Sequence, residues 1–316
     1  MLTYPARALI STALLFVAAP LLAAPKIGVI MKARGEPGNF WGSLEQGANE
    51  AGRQAGAEII VKAPPTEADI SIQIQYLNAL SAQGVQAIVI APINKEALAV
   101  PIASAAIKGV KIVVVDTPLT GNAAPVFIGT DHEAAGNAAG AVLSTLVGDA
   151  DEIALFKNSQ ASGATVQRDS GALAAIRAAH PNAVIFGEIF ASSEPGKEQE
   201  KALLLLEKHP GTKAILATGT PGTLAMLKVL QDKKLDGKIK LVGFGFNLRQ
   251  DVAAAIESGA MSAWIAQLPK DIGVKGVNAA LTLLKGEAVA PVVYTEFVVI
   301  TKDNLKDPKV QALLSL

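Results

Sequence analysis

Apolar positions along this chain alternate between two patterns. Short unbroken runs begin near Ile27, Glu58, Ala87 and Lys111, and again near Glu152, Val184, Ala214 and Lys240. Between them apolar residues recur every three or four positions, as on one face of a helix. The runs are four to six residues long and rich in Ile and Val, which predicts parallel strands buried on both faces. Each run in the second set lies roughly 125–130 residues after its counterpart. The pattern predicts two similar lobes of alternating strands and helices, each a doubly wound parallel sheet with right-handed crossovers.

In the first lobe, KIGVIM (Lys26–Met31), EIIVK, AIVIAP and KIVVVD are strands, and PVFIGT (Pro125–Thr130) is a fifth. Helices are expected over Trp41–Gln54, over Ile70–Gln83 with Asp69 as cap, and over Glu96–Lys108. In the second lobe, EIALFK, AVIFGEIF, AILAT and KLVGFG are strands, the last ending in a glycine turn at Gly245. Helices fill Thr165–Ala179, Gly196–Lys208, Gly222–Asp232 and Arg249–Ser258. SAWIAQ, a helix over Asp271–Leu284, the single strand VVYTEFVVI and a short helix near Pro308–Leu314 close the chain. No Ser/Gly/Pro linker parts the lobes, so a multi-strand hinge is expected, with crossings near Thr130–Asp131, Gln267–Pro269 and Val293–Glu296. The expected division is 1–23 as a signal peptide, 26–129 plus 268–294 as one lobe, and 130–267 plus 295–316 as the other.

The segment before Lys26 supports the first of these. Arg7 is its only charge, an apolar run follows from Ala8 to Ala24, and small residues close it. That is the order of a secretory signal, with cleavage after Ala23 and export to the periplasm. An uncleaved anchor is the alternative; the run is short for a membrane span and is broken by Ser11, Thr12 and Pro20.

Composition narrows the chemistry. Twenty-eight basic and 28 acidic side chains give no net charge, so nothing favours a nucleic-acid partner. With no cysteine there is no thiolate nucleophile and no disulfide. Of the three histidines, His180 and His209 precede prolines near helix ends and show no metal spacing. No P-loop, nucleophile elbow or complete dinucleotide fingerprint occurs, and no cofactor is expected. The reading is a binding protein and not an enzyme.

Parallel α/β sheets bind ligands beyond the carboxyl ends of their strands. This nominates Lys32 and Lys157, Ala91 and Thr218, and Asp116 and Gly245 as strand ends, with Phe40, Trp41, Gln160, Arg168, Thr220 and Asn247 in the following loops. Gln267 lies at a crossing. Each has a plain alternative. Asp116 can cap a turn before Pro118, either aromatic can pack as a helix staple, Arg168 can be a surface cation, and the lysines can be solvated strand ends. The candidate ligand-binding set is Lys32, Phe40, Trp41, Asp116, Arg168, Thr220, Asn247 and Gln267.

Taken in order, KIGVIM, NFWGSLEQGANEAG, AIVIAPINKEAL, IVVVDTPL, FIGTDHEAAG, HPGTKAILATGTPGTLAMLKVL, LVGFG and IAQLPKDIGVKGVNAALTLLKGE resemble the type I periplasmic sugar-binding proteins, the ribose-binding-protein-like receptors of ABC importers. The resemblance covers essentially the whole mature chain. It implies that an aromatic at Phe40/Trp41 stacks on a sugar, that Asp116 and Arg168 bind its oxygens, and that Gln267 contacts it at the hinge. It also implies an inner-membrane ABC permease as partner, a chemoreceptor as a second candidate partner, and a monomeric receptor. Three positions depart from the pentose receptors. Thr117 stands where they carry Arg, Gly219-Thr220 where they carry Asn-Asp, and Gly245 where they end the strand in Asp. MKARG and PPTEADI look more like the rhamnose-type and autoinducer-2-binding branch. The expected ligand is a small sugar, polyol or related polyhydroxylated molecule. Alternatives are an autoinducer-2-like or acidic molecule, a secreted α/β enzyme, or a repressor-type regulator, which the absence of a DNA-binding headpiece disfavours.

Overall fold

The computed structural model describes residues 24–121, 126–191 and 196–315, so the expected signal segment and Pro125 lie outside the described residues. Two six-stranded sheets carry the fold. The first joins β1 (Lys26–Ile30), β2 (Glu58–Lys62), β3 (Ala87–Ile90), β4 (Lys111–Val115), β5 (Phe127–Thr130) and β11 (Val292–Thr295) in the order β11-β5-β4-β3-β1-β2. The second joins β6 (Glu152–Phe156), β7 (Val184–Phe186), β8 (Thr212–Ala217), β9 (Lys240–Phe246), β10 (Ala263–Gln267) and β12 (Phe297–Thr301) in the order β12-β10-β9-β8-β6-β7. Every pairing in the first sheet is parallel. In the second only β12, against β10, is antiparallel. Central strands such as AIVI and KIVVV are buried almost throughout, as their unbroken apolar character requires.

Helices cover both faces. They are α1 (Phe40–Ala55), α2 (Ile70–Ala82), α3 (Ala99–Ile107), α4 (His132–Ser144), α5 (Gly163–Ala179), α6 (Glu198–Lys208), α7 (Thr220–Asp232), α8 (Gln250–Ser258), α9 (Pro269–Leu284) and α10 (Pro308–Gln311). α9 follows β10 of the second sheet but packs on α1 of the first. Glycines let paired helices touch backbone to backbone. A Cβ at Gly273 of α9 would sit 2.1 Å from the Leu44 carbonyl oxygen of α1. One at Gly136 of α4 would sit 2.2 Å from the Arg168 carbonyl oxygen of α5. That second contact fixes Arg168 against the start of α4.

Several expectations change. The run VVYTEFVVI is two strands: Glu296 separates β11 in one sheet from β12 in the other. AVIFGEIF forms regular strand only over Val184–Phe186. The third helix starts at Ala99 because Asn94 turns the preceding residues, its side-chain oxygen accepting from the Glu96 and Ala97 N–H groups. Asp69 does not cap α2; its carboxylate accepts from the N–H and hydroxyl of Thr66. β9 does not stop at Gly245 but runs on through Phe246, and the turn falls at Asn247 (φ 45°).

His180, the C-cap of α5, ties the ends of α4 and α5 together. Its Nε2 lies 2.8 Å from the Ser144 carbonyl oxygen and its Nδ1 2.7 Å from Asp149 Oδ1. Both partners only accept, so both ring nitrogens must carry protons to make both bonds. The bond to Ser144, then that to Asp149, raises the His180 pKa above its usual value. A raised folded pKa gives stability that is complete below the unfolded pKa and is lost as pH rises through the folded one. The melting temperature of His180→Gln should therefore fall below wild type most at pH 6 and least at pH 9. A gap that does not change with pH would mean that His180 is held neutral.

Candidate functional site

The carboxyl ends of strands from both sheets converge on one cavity of about 240 Å³, below the roughly 300–1,000 Å³ of sites for drug-sized ligands. Lys32 follows β1 and Asp116 follows β4. Asn158 follows β6, Gly219 and Thr220 follow β8, Phe246 ends β9, and Gln267 ends β10. Phe40, Trp41 and Arg168 join the wall from the helices, and Glu67 from the loop before α2.

The first-sheet side is built on a buried ion pair. Lys32 Nζ lies 2.8 Å from Asp116 Oδ2 and 2.5 Å from Thr117 Oγ1, and the Thr117 hydroxyl donates to the same carboxylate oxygen at 2.8 Å. Burial pushes the Asp116 carboxyl up, but the Lys32 charge and the bonds from Lys32 and Thr117 outweigh it and leave its pKa below the usual value. Asp116 has φ 60°, and the Thr117 N–H reaches back to the Val115 carbonyl at 2.6 Å. A left-handed non-glycine residue in so tight a turn is strained, and such strain collects at functional sites. Beneath this corner Gln73 of α2 is fully buried, a polar residue in a helix stripe that otherwise reads as apolar. Its amide donates to the carbonyls of Met31 (3.0 Å) and Ala91 (2.7 Å) and accepts from the Ile93 N–H (2.9 Å). It thereby pins the ends of β1 and β3 and sets where Lys32 emerges.

The second-sheet side centres on Arg168, which is buried and not a surface cation. Nη1 donates to the Thr218 carbonyl at 3.0 Å and Nη2 to Gln267 Oε1 at 2.7 Å, while Gln267 Nε2 donates to the Gly245 carbonyl at 3.1 Å. Its guanidinium carbon lies 4.8 Å from the Phe244 ring centroid. Burial lowers its pKa to about 10, against the pull of Asp116, which leaves it charged at neutral pH.

The aromatics close the cavity. Phe40 meets Trp41 edge-on at 4.8 Å and, across the cleft, Phe246 at 5.7 Å. Trp41 donates from Nε1 to Glu67 Oε1 at 3.0 Å, and Lys32 Nζ stands 5.7 Å from its ring centroid. At the rim the two halves touch directly: the Lys95 N–H donates to the Ala161 carbonyl at 3.0 Å, and its Nζ to the Gln160 carbonyl at 3.2 Å.

Seven of the eight nominated residues thus line one space: Lys32, Phe40, Trp41, Asp116, Arg168, Thr220 and Gln267. Asn247 does not. It sits behind the wall, buried, its carbonyl accepting from Trp264 Nε1 at 2.9 Å. Lys157 also stays out of the wall, with Nζ 5.8 Å from the Phe190 centroid. Burial pushes the neighbouring Asp169 carboxyl up to about 6, and Lys157 and a bond from Thr218 pull it back. Sequence reasoning missed Asn39, Glu67, Asn158, Ser162, Ala164, Thr165, Pro221 and Phe246 as wall residues. Phe246 was legible in principle, as the next apolar residue after KLVGFG. Among the described residues no cluster of His, Asp or Glu is arranged to hold a metal ion, and no helix is long and apolar enough to cross a membrane.

Comparison with known proteins fits this geometry. The family model described as periplasmic binding protein domain matches residues 27–288. The D-allose-binding periplasmic protein of Escherichia coli (strain K12) is 25% identical over 277 residues, covering 85% of this chain and 88% of that protein. The ribose import binding protein RbsB of Salmonella typhimurium is 26% identical, covering 86% and 89%. Among solved structures, a carbohydrate transporter solute binding protein from Agrobacterium radiobacter in complex with D-arabinose superposes with TM-score 0.85 at 26% identity, covering 93% of this chain and 99% of its own. An ABC transporter solute binding protein from Agrobacterium vitis with bound D-fucose gives 0.85 at 27% identity, covering 92% and 99%.

Proposed function

The chain belongs to the periplasmic binding protein domain family, and from that premise we propose that it is the solute receptor of an ABC importer, binding a small neutral sugar or polyol between its two lobes. The observation that carries the reading is the cavity itself: Lys32 and Asp116 from one sheet and Arg168 and Gln267 from the other line a single space roofed by Phe40, Trp41 and Phe246. Sugar hydroxyls need partners that both donate and accept, and sugar C–H faces bury well against aromatic rings. The charged wall residues are two cations, Lys32 and Arg168, and two carboxylates, Glu67 and Asp116. A cavity balanced in this way favours a neutral ligand. A sugar acid would upset that balance: Lys32 is already paired and Lys157 lies outside the wall, which leaves Arg168, bonded to the neutral Thr218 carbonyl, Gln267 and His132, as the one wall cation it could meet. A furanone-like diol is the second reading; it shares the neutrality and fits the small volume.

The mechanism is hinge closure. Ligand bridges the lobes and shifts an open–closed equilibrium toward the closed form, which the permease in the inner membrane then recognises. The rim contacts between Lys95 and the Gln160–Ala161 carbonyls, and between Phe40 and Phe246, are those a closed form would use. The receptor works as a monomer in the periplasm after loss of about 23 residues, and its lobes comprise 26–129 plus 268–294 and 130–267 plus 295–316.

The test uses mature protein recovered from periplasm in a thermal-shift panel of D-allose, D-ribose, D-arabinose, D-fucose, furanone-type diols and the matching sugar acids. Ligand at 100 times its dissociation constant stabilises by about 2.7 kcal/mol. A neutral sugar should raise the melting temperature, and in solution scattering it should shrink the radius of gyration. A response confined to the acids would overturn the charge argument, and an unchanged scattering profile at saturation would overturn hinge closure.

A further inference from the structure

Between the two halves of the site lies His132, the first residue of α4, which does not line the cavity and is 1% exposed. Its Nε2 is 2.6 Å from the backbone carbonyl oxygen of Asp116. Its Nδ1 is 3.3 Å from Arg168 Nε and 3.2 Å from Arg168 Nη2. These partners leave no freedom in the ring. A guanidinium only donates, so Nδ1 must be the bare acceptor. A carbonyl only accepts, so the single ring proton is on Nε2 and points at Asp116. An imidazolium cannot face Arg168, and burial, then the Arg168 charge, lowers the His132 pKa to about 3.

The connection runs on. From the strained Asp116 turn it passes through His132 to Arg168, then to Gln267 Oε1, and from Gln267 Nε2 to the Gly245 carbonyl. It starts on the strand end of one sheet and finishes inside the other. The contact depends on α4 and α5 lying backbone to backbone at Gly136, which brings Arg168 to the start of α4.

We propose that His132 is the positioning residue of the binding site: a strut of fixed tautomer that holds the Asp116 strand end of one lobe and the Arg168 guanidinium of the other in register, so that both address one ligand. The inference rests on the reading of Asp116 and Arg168 as ligand-binding groups. Without His132, Arg168 Nε loses its acceptor inside a buried pocket, and the guanidinium must turn to find another. The Asp116 carbonyl loses its donor at the point where the backbone is already strained.

Four variants and one spectrum test this. His132→Leu removes both bonds, whereas His132→Gln can offer an N–H and a carbonyl from one amide. Arg168→Met removes the group that His132 is said to act through, and the fourth variant combines His132→Leu with Arg168→Met. Affinity is measured by calorimetry for whichever of D-allose, D-ribose, D-arabinose and D-fucose binds wild type. His132→Leu should weaken binding about 10–100-fold, with His132→Gln retaining most of the affinity. The double variant should bind no more weakly than Arg168→Met alone, because the two residues act in series. Nitrogen-15 spectra of wild type should show the neutral Nε2–H tautomer at pH 7, unchanged at pH 5. A purely structural histidine would lower the melting temperature and leave affinity intact, and that result overturns the proposal. So does an Nδ1–H tautomer, an imidazolium at pH 7, or a double variant whose losses multiply. If Arg168→Met binds like wild type, the site reading itself is wrong and the strut falls with it. If Arg168→Met is weakened but the losses multiply, only the strut is wrong.

Discussion

Asp116→Asn should lower affinity for the bound sugar about 10–100-fold and destabilise the ligand-free protein by about 3 kcal/mol. Adding Lys32→Met should restore most of the stability and none of the affinity. The two losses have different causes. Among the described residues both side-chain bonds fall on Asp116 Oδ2, from Lys32 Nζ and Thr117 Oγ1, so the other oxygen is left for a ligand hydroxyl. A charged hydrogen bond of that kind contributes about 1.5–3 kcal/mol. Asn accepts the left-handed backbone at this position, so the turn survives the exchange. What does not survive is charge balance. The Lys32 and Asp116 side chains are only 5% and 6% exposed, and removing one partner strands the other. Broken buried pairs cost about 3–5 kcal/mol, and the lower figure applies because an open cleft wets this face. Replacing both partners by apolar or neutral groups is often nearly free, which is why the second substitution repairs the fold alone. Denaturant unfolding and calorimetry of the single and double variants measure both effects. A double variant as unstable as the single one would show that the ion pair is not the cause, and unchanged affinity would remove Asp116 from the site.

This pair also marks where the sequence stops being readable. KIVVVD shows a strand that ends in a carboxylate, and strand-end logic puts that carboxylate in the cleft. Nothing in the sequence joins it to Lys32, 84 positions earlier (116 − 32), because pairing across parallel strands depends on sheet order. The same limit hides His132. Alone at a helix start it reads as an ordinary first-turn residue, and only the α4–α5 contact shows what it faces. The bulk of the fold was legible because buried parallel strands are uniformly apolar and their helices are periodic. The split at Glu296 was not, since VVYTEFVVI contains neither glycine nor proline to mark a change of sheet. Arg168 lay in between. The small residues around it, Ala164, Thr165, Gly171 and Ala172, signal close helix packing but not what the arginine bonds to.

Gly245→Asp should give a protein that does not fold stably, and Trp264→Ala should partly rescue it. Gly245 stands where the resembling pentose receptors end this strand in Asp, so the substitution would be expected to add a polar group to the site. The packing forbids it. A Cβ at Gly245 would lie 1.7 Å from Trp264 Cζ2 and 2.0 Å from Cη2. Trp264 is fully buried in the second-sheet core and held by its Nε1 bond to the Asn247 carbonyl, so it cannot step aside. Overpacking alone costs about 1–3 kcal/mol. A carboxylate forced against the Trp264 indole in the core adds about 3–5 kcal/mol. Together these approach the about 5–15 kcal/mol that holds a typical domain folded. Trp264→Ala by itself should be destabilising, by about 3–5 kcal/mol, yet it makes room for the new side chain. The two substitutions should therefore be strongly non-additive, with the double variant more stable than Gly245→Asp alone. Thermal unfolding of the three variants decides the matter. A stable Gly245→Asp single variant would mean that Trp264 yields, and that the missing carboxylate is a free choice of the ligand site and not a consequence of the core.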